Sequence, residues 1–198
     1  MSKKKKRVVN TSLQDVSPKI TQDKNAEAIV KNNYVFENPA ILAFDYSFEG
    51  LYYSVKISNN KFNNFLKSEK EFVEKFRQIR KISAQLSGEN FTELLQRRNT
   101  HCHEIDNKKK EIVLTCIGRA LAAVGKTENI QVQIDQQFGS EAIYQIGLDK
   151  GVRLIGTHDD APGIFRVFLI DYHHDLYPDE KRTKHGSKEL KFCPMKSD

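Results

Sequence analysis

The stretch that decides the fold is IYQIGLDKGVRLIGTHDDAPGIFRVFLIDYHHDLY, residues 143–177. Apolar runs at residues 142–148, 152–155 and 164–170 are separated by two short breaks rich in aspartate and glycine. These breaks have turn chemistry, because glycine allows positive φ, proline fixes φ and aspartate hydrogen-bonds to nearby backbone. Strands joined by tight turns pair antiparallel, since a parallel neighbour needs a long crossover. The stretch therefore predicts an antiparallel β meander.

The segment before the meander predicts a hairpin followed by helices. Apolar and polar residues alternate within residues 40–57 around the turn Ser47-Phe48-Glu49-Gly50, which favours a β-hairpin. Apolar residues then recur at three- and four-residue steps, which predicts a short helix before Ser68 and a longer one after it. Ser68 with Glu71 forms a capping box at the start of the longer helix, which ends at Ser87-Gly88. The apolar stripe of this helix consists of Phe72, Val73, Phe76, Ile79, Ile82 and Leu86.

Two more helices and a strand complete the prediction. Residues 91–95 form a short amphipathic turn or helix, and the pattern EIVLTCIGRALAAVG predicts a helix that ends at Gly125. Residues 130–135 alternate apolar and polar side chains, which favours a strand. The predicted fold class is α+β: an antiparallel β meander with helices packed on one face, preceded by an N-terminal β-hairpin.

Length and composition indicate one folded domain between two tails. We expect a disordered basic tail at residues 1–33, a single α+β domain at residues 34–178 and a basic C-terminal tail at residues 179–198. No apolar run approaches the roughly 18 residues of a membrane span, and the N-terminus does not resemble a secretory leader. Three widely spaced cysteines suit a reducing compartment. The sequence thus predicts a cytoplasmic protein without a membrane partner.

The charge of the chain favours a polyanionic partner. The net charge is +6 and the isoelectric point is near 9.1, with cations concentrated towards both ends. Two solvated tails would show the same pattern, so this alternative stays open. The candidate nucleic-acid-binding residues are Lys3, Lys4, Lys5, Lys6, Arg7, Lys181, Arg182 and Lys184.

The segment NTHCHEID could hold part of a metal site. In an extended segment His101 and His103 point to the same side, and a third ligand such as His173 would have to come from the end of the meander. The alternative is a polar loop whose histidines hydrogen-bond to their neighbours. The sequence identifies no particular metal or cofactor.

Residue types suited to RNA cleavage gather around the meander. Such chemistry needs a base at the 2′-hydroxyl, an acid at the leaving oxygen and a cation on the phosphate. The candidate catalytic residues are His103, Arg153, Arg166, Asp171 and His174, with His158 nearby in the sequence. Arginines on a solvent-exposed sheet face and a solvated strand end are the alternative to this interpretation.

Three short motifs resemble a group of uncharacterised bacterial proteins associated with mobile elements. The motifs are His101-Cys102-His103, the strand Arg153-Leu154-Ile155-Gly156, and the segment from Ile170 and Asp171 through His174 to Tyr177-Pro178. The resemblance covers roughly residues 90–178. It implies no particular activity.

A second resemblance is to RelE-like ribosome-dependent RNases, in the order of elements and the basic C-terminus. It implies action on RNA, although no residue of this chain can be matched to a catalytic residue of that family.

The basic ends of the chain lead us to predict a binding module of a phage- or plasmid-linked system that holds nucleic acid or a protein partner. The alternatives are a RelE-like endoribonuclease and a metal-dependent hydrolase, so the sequence leaves open whether the protein is an enzyme.

Overall fold

The fold was obtained as a computed structural model. It describes residues 41–57, 62–97, 101–126, 128–148, 151–160, 163–178 and 189–196. The strands among these residues are β1 (Ala43–Asp45), β2 (Lys56–Ile57), β3 (Phe62–Asn63), β4 (His103–Glu104), β5 (Tyr144–Ile146), β6 (Arg153–Asp159) and β7 (Ile164–Asp171). The helices among them are α1 (Glu69–Leu86), α2 (Phe91–Gln96), α3 (Asn107–Ala123) and α4 (Ile130–Phe138).

The main sheet has the strand order β1-β7-β6-β5-β4. Strands β5, β6 and β7 pair antiparallel in sequence order, and β4 pairs antiparallel with β5. The predicted meander and the α+β class are therefore confirmed. The local turn chemistry was sufficient to predict them, because short connections permit only this pairing.

The predicted hairpin at residues 40–57 is wrong in its pairing. Strand β1 adds in parallel to the edge of β7, with Ala43 opposite Ile164. Strand β2 pairs instead with β3 in a separate two-stranded sheet, with Lys56 opposite Asn63. Alternation along a segment indicates extended backbone but does not specify which edge that backbone will join.

Helices cover both faces of the sheet, which corrects the prediction of helices on one face. One core cluster contains Ile79 and Ile82 of α1 with Leu154 of β6. The other contains Val113 and Ile117 of α3 with Ile155 of β6. Neighbouring strand residues point to opposite faces, so the continuous apolar runs of β6 and β7 are those of a sheet buried on both sides.

A bulge in β7 adjusts this alternation. Ile155 lies opposite Leu169 while Gly156 lies opposite Val167, so Phe168 is the extra residue. Phe168 and Leu169 consequently both belong to the cluster beneath α3 and α4. The partner strand needs glycine here, because a Cβ on Gly156 would lie 2.2 Å from the carbonyl oxygen of Arg166.

The predicted strand at residues 130–135 is helix α4. Ile134 and Phe138 are buried at a four-residue spacing, whereas Val132 is 52% exposed. The alternation of Ile130, Val132 and Ile134 suggested a period of two, but burial follows the helical period.

The helix ends were predicted more accurately. The Ser68 hydroxyl accepts a hydrogen bond from the Glu71 backbone N–H at the start of α1. Gly88 and Gly125 follow α1 and α3 with positive φ values of 87° and 84°. The segment before Ser68, however, contains β3 rather than a short helix.

The described part of the C-terminal segment packs onto the domain. Leu66 and Phe192 exchange backbone hydrogen bonds of 2.9 and 2.8 Å, and Leu190 and Cys193 are buried. The predicted boundary at residue 179 and the N-terminal tail lie outside the described residues. Within the part of the chain that the structure describes, no helix is long and apolar enough to cross a membrane.

Candidate nucleic-acid interface

His103 is held on β4 through both ring nitrogens. Nδ1 donates to the carbonyl of Glu104 at 2.9 Å, and Nε2 lies 3.2 Å from the side-chain nitrogen of Gln145. A backbone carbonyl can only accept, so Nδ1 carries a proton in this arrangement. The arrangement fixes the ring on the sheet edge.

Asp171 organises the turn that follows β7. Its carboxylate is fully buried and accepts backbone hydrogen bonds from His173, Asp175 and Leu176 at 3.0–3.1 Å. These three N–H donors supply the buried carboxylate with hydrogen bonds in place of water. The residue thus holds the chain in the turn.

The two candidate arginines lie in different surroundings. Arg153 is 2% exposed and donates to the carbonyls of Gly151 and Val152 at 3.1 and 3.2 Å. Its side chain lies over Gly147, where a Cβ would come within 2.5 Å of Arg153 Cδ. Arg166 is exposed and pairs with Asp159 at 3.3 Å. The structure does not bring the two guanidinium groups to one surface.

The histidines at the end of β7 also make local contacts. Nε2 of His173 donates to the carbonyl of Phe65 at 2.8 Å, and His174 has a positive φ of 62°. His101 is exposed and has a positive φ of 48°. No three His, Cys, Asp or Glu side chains among the described residues are grouped so that they could hold a metal. The predicted ligands His101, His103 and His173 are accordingly not brought together.

Tyr177 is the residue that connects the two histidine-rich segments. Its hydroxyl donates to the Asp106 carboxylate at 2.9 Å, and its ring lies edge-on to His103 at 4.9 Å. The backbone N–H of Lys109 lowers the pKa of Asp106, which caps α3, while partial burial raises the pKa of Tyr177. The contact anchors the chain after β7 to the start of α3.

The candidate nucleic-acid-binding residues lie outside the described residues, so their role stays a prediction. This group consists of Lys3, Lys4, Lys5, Lys6, Arg7, Lys181, Arg182 and Lys184. Residues 41–178 contain 18 basic and 18 acidic side chains, and residues 189–198 contain two of each. The whole excess of positive charge therefore belongs to residues 1–40 and 179–188.

Helix α1 presents a basic outward face although residues 41–178 contain equal numbers of basic and acidic side chains. Ile79, Ile82 and Leu86 are buried against the sheet, so residues about half a turn away point outwards. Four cations lie on that side, while the nearby carboxylates are those of Glu69 and Glu74. We define the α1 surface as Lys70, Val73, Phe76, Arg77, Arg80 and Lys81.

Apolar side chains are exposed among these cations. Val73 is 44% exposed and Phe76 is 39% exposed. Arg77 and Arg80 are exposed, and neither forms an ion pair with a described residue. An exposed phenyl ring beside unpaired arginines is an arrangement that suits base stacking combined with phosphate contact.

Aromatic side chains continue from Phe76 along the edge of α1. The Phe72 ring lies 6.0 Å from Phe76 and 6.2 Å from Tyr52. The Tyr46 hydroxyl forms a short hydrogen bond with Ser83. Burial raises the pKa of Tyr46 to about 12, against the lowering effect of the Ser83 hydrogen bond and of the nearby Arg80 charge. This edge therefore carries neutral rings next to positive charge.

A family model described as "Uncharacterised protein UU032" matches residues 47–198, about three quarters of the chain. The chain belongs to this family. The matched region includes the α1 surface and residues 181–184, while residues 3–7 precede it. No curated protein and no solved structure matches the chain.

The α1 surface of this UU032 family member was missed because Val73 and Phe76 were assigned to the buried stripe. Helical geometry contained the necessary signal. At 100° per residue, Val73 lies about 120° from the direction of Ile79, and Arg77 and Arg80 lie on the same outward side. The positions of the cations around the helix axis therefore distinguish the outward face of α1 from its buried face.

Proposed function

We propose that the protein is a nucleic-acid-binding module that holds a single strand on the α1 surface. The observation that carries the proposal is the exposed ring of Phe76 beside Arg77 and Arg80. Arginine binds phosphate oxygens through a planar fork of donors, and a phenyl ring can stack on any base. Recognition of this kind depends little on sequence.

The basic ends would extend this contact. The second basic segment, residues 179–188, begins after Pro178 and leads to Glu189, whose carboxylate pairs with Lys67 at 2.9 Å. Lys67 directly precedes the cap of α1, so the segment is attached close to the α1 surface. Lysines placed there would add phosphate contacts whose strength depends on salt.

Binding is favoured over RNA cleavage by the contacts of the candidate catalytic groups. The Asp171 carboxylate, the Arg153 guanidinium and the His103 ring all take part in hydrogen bonds within their own part of the fold. A general base or acid needs an atom within hydrogen-bond reach of the substrate. The resemblance to mobile-element proteins is compatible with a binding role but carries none of this argument.

The test compares Phe76→Ala with Val132→Ala, which removes another exposed apolar side chain, on α4. Fluorescence anisotropy with a labelled 20-nucleotide single-stranded RNA measures affinity, and thermal unfolding confirms that both variants fold. Loss of one stacked base costs about 1–3 kcal/mol, so Phe76→Ala should bind roughly 5- to 150-fold more weakly. Val132→Ala should match the wild type, and equal affinities for the two variants would contradict the proposal.

A further inference from the structure

A cleft of about 540 Å³ opens where β6 ends and β7 begins. Its volume is in the range of small-molecule sites. It lies outside the α1 surface, and the sequence prediction named two of its residues, Arg166 and His158, in a different role. The side chains that matter to its chemistry are Glu141, Tyr144, His158, Asp159, Asp160 and Arg166.

His158 is the most firmly held of these side chains. Its ring stacks on Phe91 at 3.9 Å and 20°, and its side chain is 7% exposed. Nδ1 donates to the Asp160 carboxylate at 2.9 Å, and burial lowers the pKa of His158, so the neutral ring carries its proton on Nδ1 and a lone pair on Nε2. Nε2 forms no hydrogen bond with a described residue. The cleft therefore contains a fixed, unused acceptor on a side chain that is more than nine-tenths buried.

The charge of the cleft is negative. Arg166 pairs with Asp159 at 3.3 Å, so the described lining residues carry one arginine against the three carboxylates of Glu141, Asp159 and Asp160. Two unit charges 4 Å apart interact by about 1 kcal/mol in water and about 4 kcal/mol at an effective dielectric constant of 20. An anion would meet this repulsion, whereas a cation would be attracted.

We propose that this cleft binds a small organic cation carrying primary amine or guanidinium groups. Such a ligand donates hydrogen bonds, and the cleft offers carboxylates and the His158 lone pair as acceptors. The Tyr144 ring can receive the charge of the cation on its face. The described residues contain no cluster of three metal ligands, so the acceptors suit a ligand that brings its own donors.

The experiment uses isothermal titration calorimetry on the full chain with spermidine and agmatine as probes and 1,8-octanediol as a neutral control. The wild type should bind at least one cation and not the diol. The double variant Glu141→Gln/Asp160→Asn should bind at least 10-fold more weakly, while Glu74→Gln/Glu128→Gln, which removes two exposed carboxylates elsewhere, should bind as the wild type does.

Absence of binding by both probes, or equal weakening in the two double variants, would overturn the proposal. Thermal unfolding checks that each variant folds. The inference is independent of the proposed nucleic-acid binding, because Arg77→Gln/Arg80→Gln should retain the wild-type affinity for the cation. Loss of cation binding in that variant would also contradict the assignment to the cleft.

Discussion

The α1 surface and the cleft at the end of β6 hold their charged side chains in different ways. On α1, Arg77 and Arg80 extend from a helix and pair with no described residue. In the cleft, Arg166 is paired with Asp159, and His158 is fixed by Phe91 and Asp160. A loosely held basic surface can follow an irregular polyanion, whereas a fixed set of acceptors selects a small ligand by shape and charge.

The two regions also lie towards opposite ends of the central strands. The Gln78 side chain of α1 accepts a hydrogen bond from Val152, just before β6 begins, and Lys75 donates to the carbonyl of Tyr172, just after β7. The cleft lies where β6 ends, six residues and roughly 20 Å from the first residue of that strand. One ligand of modest size would not occupy both regions, so each can be disrupted separately.

The largest expected effect is on stability, and it comes from filling the space at Gly156 in β6, the strand that ends at the cleft. Gly156→Ala places a Cβ 2.2 Å from the Arg166 carbonyl, and neither backbone at the bulge can easily move. We expect a loss of about 3 kcal/mol in the free energy of unfolding, measured by urea denaturation. Gly118→Ala is the control, because its Cβ would lie 3.2 Å from a flexible Ile134 methyl group. Similar stabilities for the two variants would refute the role given to Gly156.

The second-largest effect tests whether the Asp171 carboxylate has a structural role in the turn after β7. Asp171→Asn retains one carbonyl oxygen but replaces the other acceptor by an N–H donor that faces a backbone N–H. We expect a loss of about 2 kcal/mol in unfolding free energy. Asp45→Asn should lose much less, because Asp45 accepts a single exposed bond from Ser47. Wild-type stability of Asp171→Asn would show that the carboxylate does not hold the turn.

The smallest effect concerns the pH response of the cleft. Burial lowers the pKa of His158 despite the opposing charges of Asp160 and Asp159. The unfolded chain then binds more protons than the folded chain, so stability should be fully present above the ordinary histidine pKa near 6.5 and fall as the pH drops below it. Urea denaturation between pH 5 and 8 should show a weaker pH dependence in His158→Phe, and identical profiles would contradict this assignment.

Elements defined by local chemistry were predictable from the sequence. The turns around β6, the Ser68 cap and the glycine after α3 each depend on a few neighbouring residues. The partner of β1 and the distribution of helices on both faces depend on contacts distant in the sequence. The spacing of apolar residues alone could not determine the partner of β1 or the placement of the helices, because a strand buried on both faces and a strand at an edge can both be apolar.

The site residues show the same limit. Arg153 resembles an exposed strand arginine in the sequence, but Gly147 leaves the space in which its side chain is buried. Asp171 was correctly placed at the end of β7, yet only the turn geometry shows its three backbone partners. The exposure of Val73 was accessible from helical geometry, whereas the stacking of His158 on Phe91 joins residues far apart in the chain.

The most direct test of nucleic-acid binding by the α1 surface is the slope of log K against log salt concentration for a single-stranded oligonucleotide. Each phosphate contact contributes a slope of about −0.7 on a single strand. Arg77→Gln/Arg80→Gln should therefore reduce the magnitude of the slope by about 1.4, while Lys56→Gln/Lys108→Gln, which removes two exposed cations elsewhere, should leave it unchanged. A slope that Arg77→Gln/Arg80→Gln does not change, or that both double variants reduce equally, would contradict the α1 surface as the binding site.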